Sequence, residues 1–165
     1  MTEKHFYFLK DQYFVDFPDE YLMQNKETIA GISHNRPCYY AFKDEECADI
    51  FWMIPFSSKI NKFHEIYNNK IEKYGRCDTI VFAEVLGHEK AFLIQNMCPV
   101  SKKYIENEYI DSTGAVRLSQ HKEQELKQKA MLMLSLVEKG YRNLVFPDIL
   151  KIKESLITDI ETSED

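Results

Sequence analysis

Apolar side chains run almost unbroken through residues 50–56, Ile-Phe-Trp-Met-Ile-Pro-Phe, and this aromatic-rich stretch predicts a buried strand. After Pro55 the pattern changes. At about 100° per residue, Ile60, Phe63, Tyr67, Ile71 and Tyr74 fall on one face of a helix, and Lys59, Lys62, Lys70 and Lys73 lie within roughly 80° of one another at its edge. Upstream, residues 5–10 predict a first strand, and the aromatic residues of 11–19 with Pro18 show no clean period and read as strand or loop. Residues 19–26 predict a short helix and 29–33 a strand, followed by a turn at His34-Asn-Arg-Pro; the aromatic run 38–42 predicts another strand before the acidic loop Asp44-Glu-Glu. Downstream, 79–85 and 90–95 form a hairpin pattern across Leu-Gly-His-Glu. Pro99 and Ser101 open a short helical stretch over 102–110, and the pattern breaks at Asp111-Ser-Thr-Gly. Residues 119–139 predict the longest helix, stopped by Gly140. An edge strand over 141–146, a last helix over 147–160 and a disordered acidic tail at 162–165 complete the reading.

These elements predict an α+β protein, one domain over 1–161, in which helices pack against a compact, strongly twisted antiparallel sheet of five or six strands. At 165 residues the chain buries an adequate core without staples. Its four cysteines have no C-x-x-C spacing, which reads as reduced thiols rather than a zinc site or a disulfide framework. No apolar run reaches membrane-spanning length and the start has no signal-like apolar core, so a cytoplasmic location and no membrane partner are expected.

The formal net charge is −6. That total misleads, because the last twelve residues hold five acids and no Lys or Arg, while residues 57–76 hold five basic residues against two Glu. Local potential steers a polyanion, and the locally basic segment is the one that follows the central strand.

At that junction Ser57 and Ser58 supply hydroxyls, Lys59 an ammonium, and the helix start free N–H groups, a combination suited to phosphate. The plainer reading is a capping serine and a solvated lysine face. No Walker or dinucleotide loop, H-E-x-x-H motif, nucleophile elbow or acidic two-metal cluster is evident, so no cofactor or metal is expected. RNA carries its own nucleophile, and cleavage by the 2′-hydroxyl needs only proton transfer, in-line positioning and charge stabilisation. In this reading Ser57 and Ser58 hold the non-bridging oxygens, Lys59 neutralises charge or acts as general acid, and His64 is either a general base or a packed surface histidine. Arg36 with Tyr39 and Tyr40 reads as a cation beside two stacking platforms or as half-buried strand residues. Lys62, Lys70, Lys73, Lys102, Lys103 and Tyr104 are further candidate RNA contacts.

The blocks Arg36-Pro-Cys-Tyr-Tyr, Phe51-Trp-Met-Ile-Pro-Phe-Ser-Ser-Lys and Ala91-Phe-Leu-Ile-Gln-Asn-Met-Cys-Pro-Val resemble the toxins of type III toxin–antitoxin systems, the ToxN and AbiQ group, and within it the CptN branch. The resemblance spans about 36–109. It implies a Kid- and MazF-like, ToxN-type fold and a sequence-selective, metal-independent endoribonuclease toxin active in abortive infection. It also implies a small structured antitoxin RNA, cut from a repeated precursor by the toxin and held with it in a closed RNA–protein assembly. Ser57, Ser58 and Lys59 match the family's active-site segment, although ToxN has one more residue before its lysine. Lys26, after Gln24 and Asn25, matches an upstream active-site lysine loosely, since ToxN has a proline before that lysine and a tyrosine where Met23 stands. Gln95 and Asn96 match as a block without an assigned role. The principal rival is a non-catalytic RNA-binding regulatory domain, and a further one is a structural protein whose aromatic sheet is simply core.

Overall fold

The computed structural model describes residues 1–163, the side chains of residues 27 and 29 left aside. In chain order the elements are β1 (Phe6–Leu9), α1 (Asp11–Asp16), β2 (Lys26–Ile29), β3 (Ile32–Asn35), β4 (Pro37–Lys43), β5 (Ile50–Ser57) and α2 (Ile60–Tyr74). They continue with β6 (Ile80–Val85), β7 (His88–Leu93), β8 (Cys98–Ser101), β9 (Ile105–Glu108), α3 (Gln120–Glu138) and α4 (Ile149–Ser163). Seven strands make one antiparallel sheet in the order β6-β7-β5-β4-β1-β9, with β8 also on β5. β2 and β3 form a separate hairpin. The expected α+β class, a large antiparallel sheet with helices against it, is the observed one.

All eight residues of β5 are buried, as expected for a central strand covered on both faces. Alternation sends Trp52, Ile54 and Phe56 into a cluster completed by Leu126, Ala130 and Met133 of α3. Phe51 and Met53 enter a second cluster with Ile152 and Leu156 of α4. Each such side chain contributes about 1.5–3 kcal/mol on burial.

One edge of β5 is interrupted. Ile50 to Met53 pair with β8, Phe56 and Ser57 pair with β7, and Ile54 and Pro55 pair with neither. Pro55 has no N–H to give, and opposite the gap the edge chain makes a 3-10 turn over Ile94–Asn96. This turn lies between β7 and β8 and brings Gln95 and Asn96 to the end of β5.

Several local expectations are corrected. Residues 11–16 are helical, because Tyr13 and Phe17 lie one turn apart and their rings meet at 5.1 Å. The segment expected as a short helix before Lys26 is irregular, and residues 30–31 are the tip of a hairpin rather than strand. There Ala30 (φ 50°) and Gly31 (φ 79°) take the left-handed conformations of a two-residue I′ turn. The helical stretch expected at 102–110 is instead a 3-10 turn followed by β9, which lies at the sheet edge against β1 and is polar for that reason. Residues 141–146 do not form a strand, and α4 includes Thr162 and Ser163, assigned in the sequence to a disordered tail; residues 164–165 lie outside the described residues. Among the described residues no helix is long and apolar enough to cross a membrane.

α4 is fastened to the sheet by charge as well as by Ile152 and Leu156. Lys153, 5% exposed, donates to Asp44 Oδ2 at 3.0 Å and Glu46 Oε2 at 2.8 Å. Asp44 also accepts from Trp52 Nε1 at 2.8 Å and from the N–H groups of Glu46 and Cys47. Burial alone would raise the Asp44 carboxyl, but the bonds from Trp52, Lys153 and the two amides hold it below the ordinary carboxylate range. Because the folded value is the lower one, this stabilisation is complete above the unfolded value near about 4 and is lost as pH falls through the folded value. Urea unfolding of Lys153→Ala should show a loss of about 3–5 kcal/mol at neutral pH, shrinking in acid. Lys122→Ala, which removes a half-exposed surface pair with Glu125, should lose no more than about 1 kcal/mol.

Candidate functional site

The end of β5 presents its two serines to opposite faces. The β5–β7 register pairs Ser57 with Ala91 and, one residue on, Ser58 with Lys90; carried two and three residues past Cys38–Pro55, the β4–β5 register sets Arg36 beside Ser57 and Asn35 beside Ser58. Side chains in adjacent rows of a sheet point to opposite sides. Accordingly Ser57 lies in one cavity with Arg36 and Lys59, and Ser58 lies in another with Asn35 and Lys90.

The Ser57 cavity, about 400 Å³ in volume, carries Arg36, Lys59 and Lys62 with the amides of Gln95 and Asn96, over a floor that includes Met23, Phe63 and Leu93. No carboxylate is among these lining residues. Among the described residues, Arg36, Lys59 and Lys62 form no ion pair, and the buried Nε of Arg36 has no hydrogen-bond partner. Ser57 is only 3% exposed and sits at the bottom of the cavity. Its Oγ accepts from the Lys59 N–H at 3.2 Å, so its own proton is available to donate.

Lys59 is the N-cap of α2 and provides no side-chain cap. The Ile60 N–H is occupied by the Ser58 carbonyl at 2.8 Å, which leaves the next amides, of Asn61 and Lys62, as the uncapped helix start. Neither serine caps the helix through its side chain.

The 3-10 turn is held from below. Lys70 donates to Thr79 Oγ1 at 2.7 Å and to Gln95 Oε1 at 3.2 Å, so the NH2 end of Gln95 is the one left to the cavity. Lys70 is therefore a support for Gln95 and not part of an open lysine stripe. Lys73 lies farther along α2 with its ammonium over the Tyr74 ring, and it lines neither cavity. Lys62 lines the cavity while its ammonium also lies 5.5 Å from the Phe63 ring centre.

The second cavity, about 680 Å³, contains Ser58, Lys90, Asn35, His34, His88 and Glu106 among its lining residues. Lys90 Nζ donates to Ser58 Oγ at 2.7 Å. Sequence reasoning assigned no role to Lys90; its proximity follows from the β5–β7 register, which is not visible in local patterns. Lys26 pairs with Asn35 across the hairpin and thus stands on the same hairpin face, beside this second opening rather than in the Ser57 cavity.

Six further candidate residues lie outside both cavities. Tyr39, Tyr40 and Tyr104 are 0–2% exposed, packed in the two main clusters, and offer no free ring face to a base. His64 lies about 140° around α2 from Lys59; it stacks on Phe82 at 3.8 Å and bonds Glu89 at 2.7 Å, outside both cavities. Lys103 is engaged by Asp159 and the Tyr104 ring. It and Lys102 follow Ser101, which pairs with Ile50 at the opposite end of β5, roughly 23 Å from Ser57 at about 3.3 Å per residue. Lys102 and Lys103 therefore belong to a different surface.

Together these features define an α+β protein whose central strand ends between two polar cavities, one of them basic and free of carboxylates. Comparison with family models and with curated proteins finds no match. Among solved structures the fold matches AbiQ, a lactococcal anti-phage endoribonuclease belonging to the type-III toxin–antitoxin system, with a TM-score of 0.69 and 12% sequence identity. The match covers 97% of this chain and 99% of that chain, so the two share their fold from end to end.

Proposed function

We propose that this protein is a metal-independent endoribonuclease, the toxin of a type III toxin–antitoxin pair. The observation that carries the reading is the Ser57 cavity: three cations, a hydroxyl with a proton to give and uncapped helix amides, with no carboxylate among the lining residues, in a chain of net charge −6. Such a site favours a phosphodiester over a neutral or cationic ligand. The fold shared with AbiQ supports ribonuclease chemistry as the use of that site.

In the reaction, Ser57, Arg36 and Lys62 hold the non-bridging oxygens and take up the charge that grows there in the transition state. The 2′-oxygen bonds to phosphorus as its proton passes to solvent, and the bond to the 5′-oxygen breaks. Lys59, exposed and without an ion-pair partner among the described residues, protonates the departing 5′-oxygen. The products are a 2′,3′-cyclic phosphate and a 5′-hydroxyl. The neighbouring Ser58–Lys90 pair, with Lys26 at its margin, holds the next stretch of the strand on the far side of β5.

The same groups bind a small antitoxin RNA, which the enzyme releases from a repeated precursor and which then blocks the cavities in a closed RNA–protein assembly in the cytoplasm. Inhibition and substrate binding share their cations, so both weaken with salt.

Two measurements test this reading. Purified protein incubated with single-stranded RNA in EDTA should leave cyclic-phosphate and 5′-hydroxyl ends, and Lys59→Ala should cut about 10²–10⁴-fold more slowly while keeping most of its RNA affinity. Cleavage that requires magnesium overturns the mechanism, and binding without cleavage favours a regulatory RNA-binding domain. Second, the logarithm of RNA affinity should fall linearly against the logarithm of salt, by about 0.7 for each phosphate neutralised. Arg36→Ala and Lys62→Ala should each make that slope shallower, whereas Lys102→Ala should leave it unchanged.

A further inference from the structure

The tyrosines that sequence reasoning offered as stacking platforms are buried, and two other rings occupy the place they were meant to fill. Tyr21 is 53% exposed and Phe146 is 42% exposed. They come from segments 125 residues apart, yet their ring centres lie 6.2 Å from each other at an angle of 52°. Phe146 forms part of the wall of the Ser57 cavity. One half-exposed ring thus lines a cationic cavity and a second packs against it, which offers a contiguous apolar surface beside the cations.

Their positions are fixed by polar contacts. The Phe146 N–H donates to the Gln95 carbonyl at 2.8 Å, and Asn96 Nδ2 donates to the Tyr21 carbonyl at 3.0 Å. Asp19 joins the two segments, accepting from the Tyr21 N–H on one carboxylate oxygen and from the Asp148 N–H on the other, each at 2.8 Å. The 3-10 turn that supplies the cavity with amides therefore also anchors the backbone of both residues. A surface made only by accidental exposure would have no reason to be clamped at three points.

We infer that Phe146 and Tyr21 form the seat of an unpaired RNA base, the one attached to the phosphate held by Ser57, Arg36 and Lys62. This deepens the nuclease reading and rests on it for the identity of the polyanion. The tilt of the rings suits one base lying on the Phe146 face with the Tyr21 ring against its edge, rather than a base sandwiched between parallel planes. A base paired in a duplex has both faces covered by its neighbours and cannot occupy the seat. The site therefore selects single-stranded segments of substrate and antitoxin, and the NH2 of Gln95 lies near enough to the same cavity to bond a base edge.

The test uses the full chain and a cleavage-resistant 2′-O-methyl oligonucleotide in which 2-aminopurine replaces each base in turn. One position should be strongly quenched on binding. Phe146→Ala should abolish that quench and weaken binding roughly tenfold. Tyr21→Ala should give a smaller loss, and Phe146→Trp should restore both readouts. Both side chains are about half exposed, and unchanged thermal unfolding of the variants verifies that the fold is intact. Binding with the same modest signal at every position, or a quench that survives Phe146→Ala, overturns the base seat and leaves the nuclease reading standing. An absence of any RNA binding overturns the nuclease reading as well.

Discussion

Side chains on adjacent strand residues point to opposite faces, and at the end of β5 this constraint divides the polar groups into two sets. Trp52, Ile54 and Phe56 serve one hydrophobic cluster, and Phe51 and Met53 the other. When the sequence changes from apolar to polar, the alternation continues for two more residues. Ser57 inherits the face of Met53, and Ser58 that of Phe56. The neighbours follow by register: Arg36 beside Ser57, and Asn35 and Lys90 beside Ser58. A polynucleotide that uses both serines must lie across the strand end, with one stretch of backbone on each side of it.

A second feature makes the first usable. An unbroken partner along β5 would have placed a pleated, hydrogen-bonded strand where the Ser57 cavity lies. The gap opposite Ile54 and Pro55 lets the partner chain turn through Ile94–Asn96 instead. The polar groups freed by that turn are reused: Gln95 bonds Thr79 through its N–H, Phe146 through its carbonyl and Lys70 through its side chain. Buried polar groups that are satisfied in this way rigidify their surroundings. The Gln95 wall of the cavity is therefore fixed by the sheet and α2.

Much of the framework was legible in the sequence, and the reasons for the failures are specific. The central strand, α2, the β6–β7 hairpin and α3 have strong local periods, and each was found to within a few residues. The polar edge strand β9 was missed because its stability comes from β1, about a hundred positions away, and not from its own pattern. The hairpin β2–β3 was blurred because Ala30 stands in a left-handed turn position that sequence would sooner assign to Asn or Gly. For the site, the local segment Ser57–Lys59 was visible but its convergence was overestimated, since the strand was expected to stop at Phe56 and alternation was not carried into the serines. Lys90, Tyr21 and Phe146 had no local signal at all. Their roles depend on register and on loops brought together by Asp19 and by the 3-10 turn, which are properties of the fold. The tyrosine errors have the opposite origin: an aromatic residue next to an arginine reads as a recognition surface, while in β4 both faces are covered and Tyr39 and Tyr40 are core.

The acidic total charge is compatible with a basic site because the charges are separated along the molecule. α4 begins next to Phe146, and Asp159 lies ten residues further on, about 15 Å along the helix axis, where it meets Lys103 near the other end of β5. The screening length at physiological ionic strength is about 8 Å, so carboxylates at that end do little to the potential in the Ser57 cavity. Nearer by, Asp19 accepts from two backbone amides and Glu89 bonds His64, and neither lines the cavity. The charged side chains that line the Ser57 cavity are Arg36, Lys59 and Lys62. The basic character of that cavity is thus local, set by three side chains that register and the start of α2 bring together in a chain whose total charge is negative.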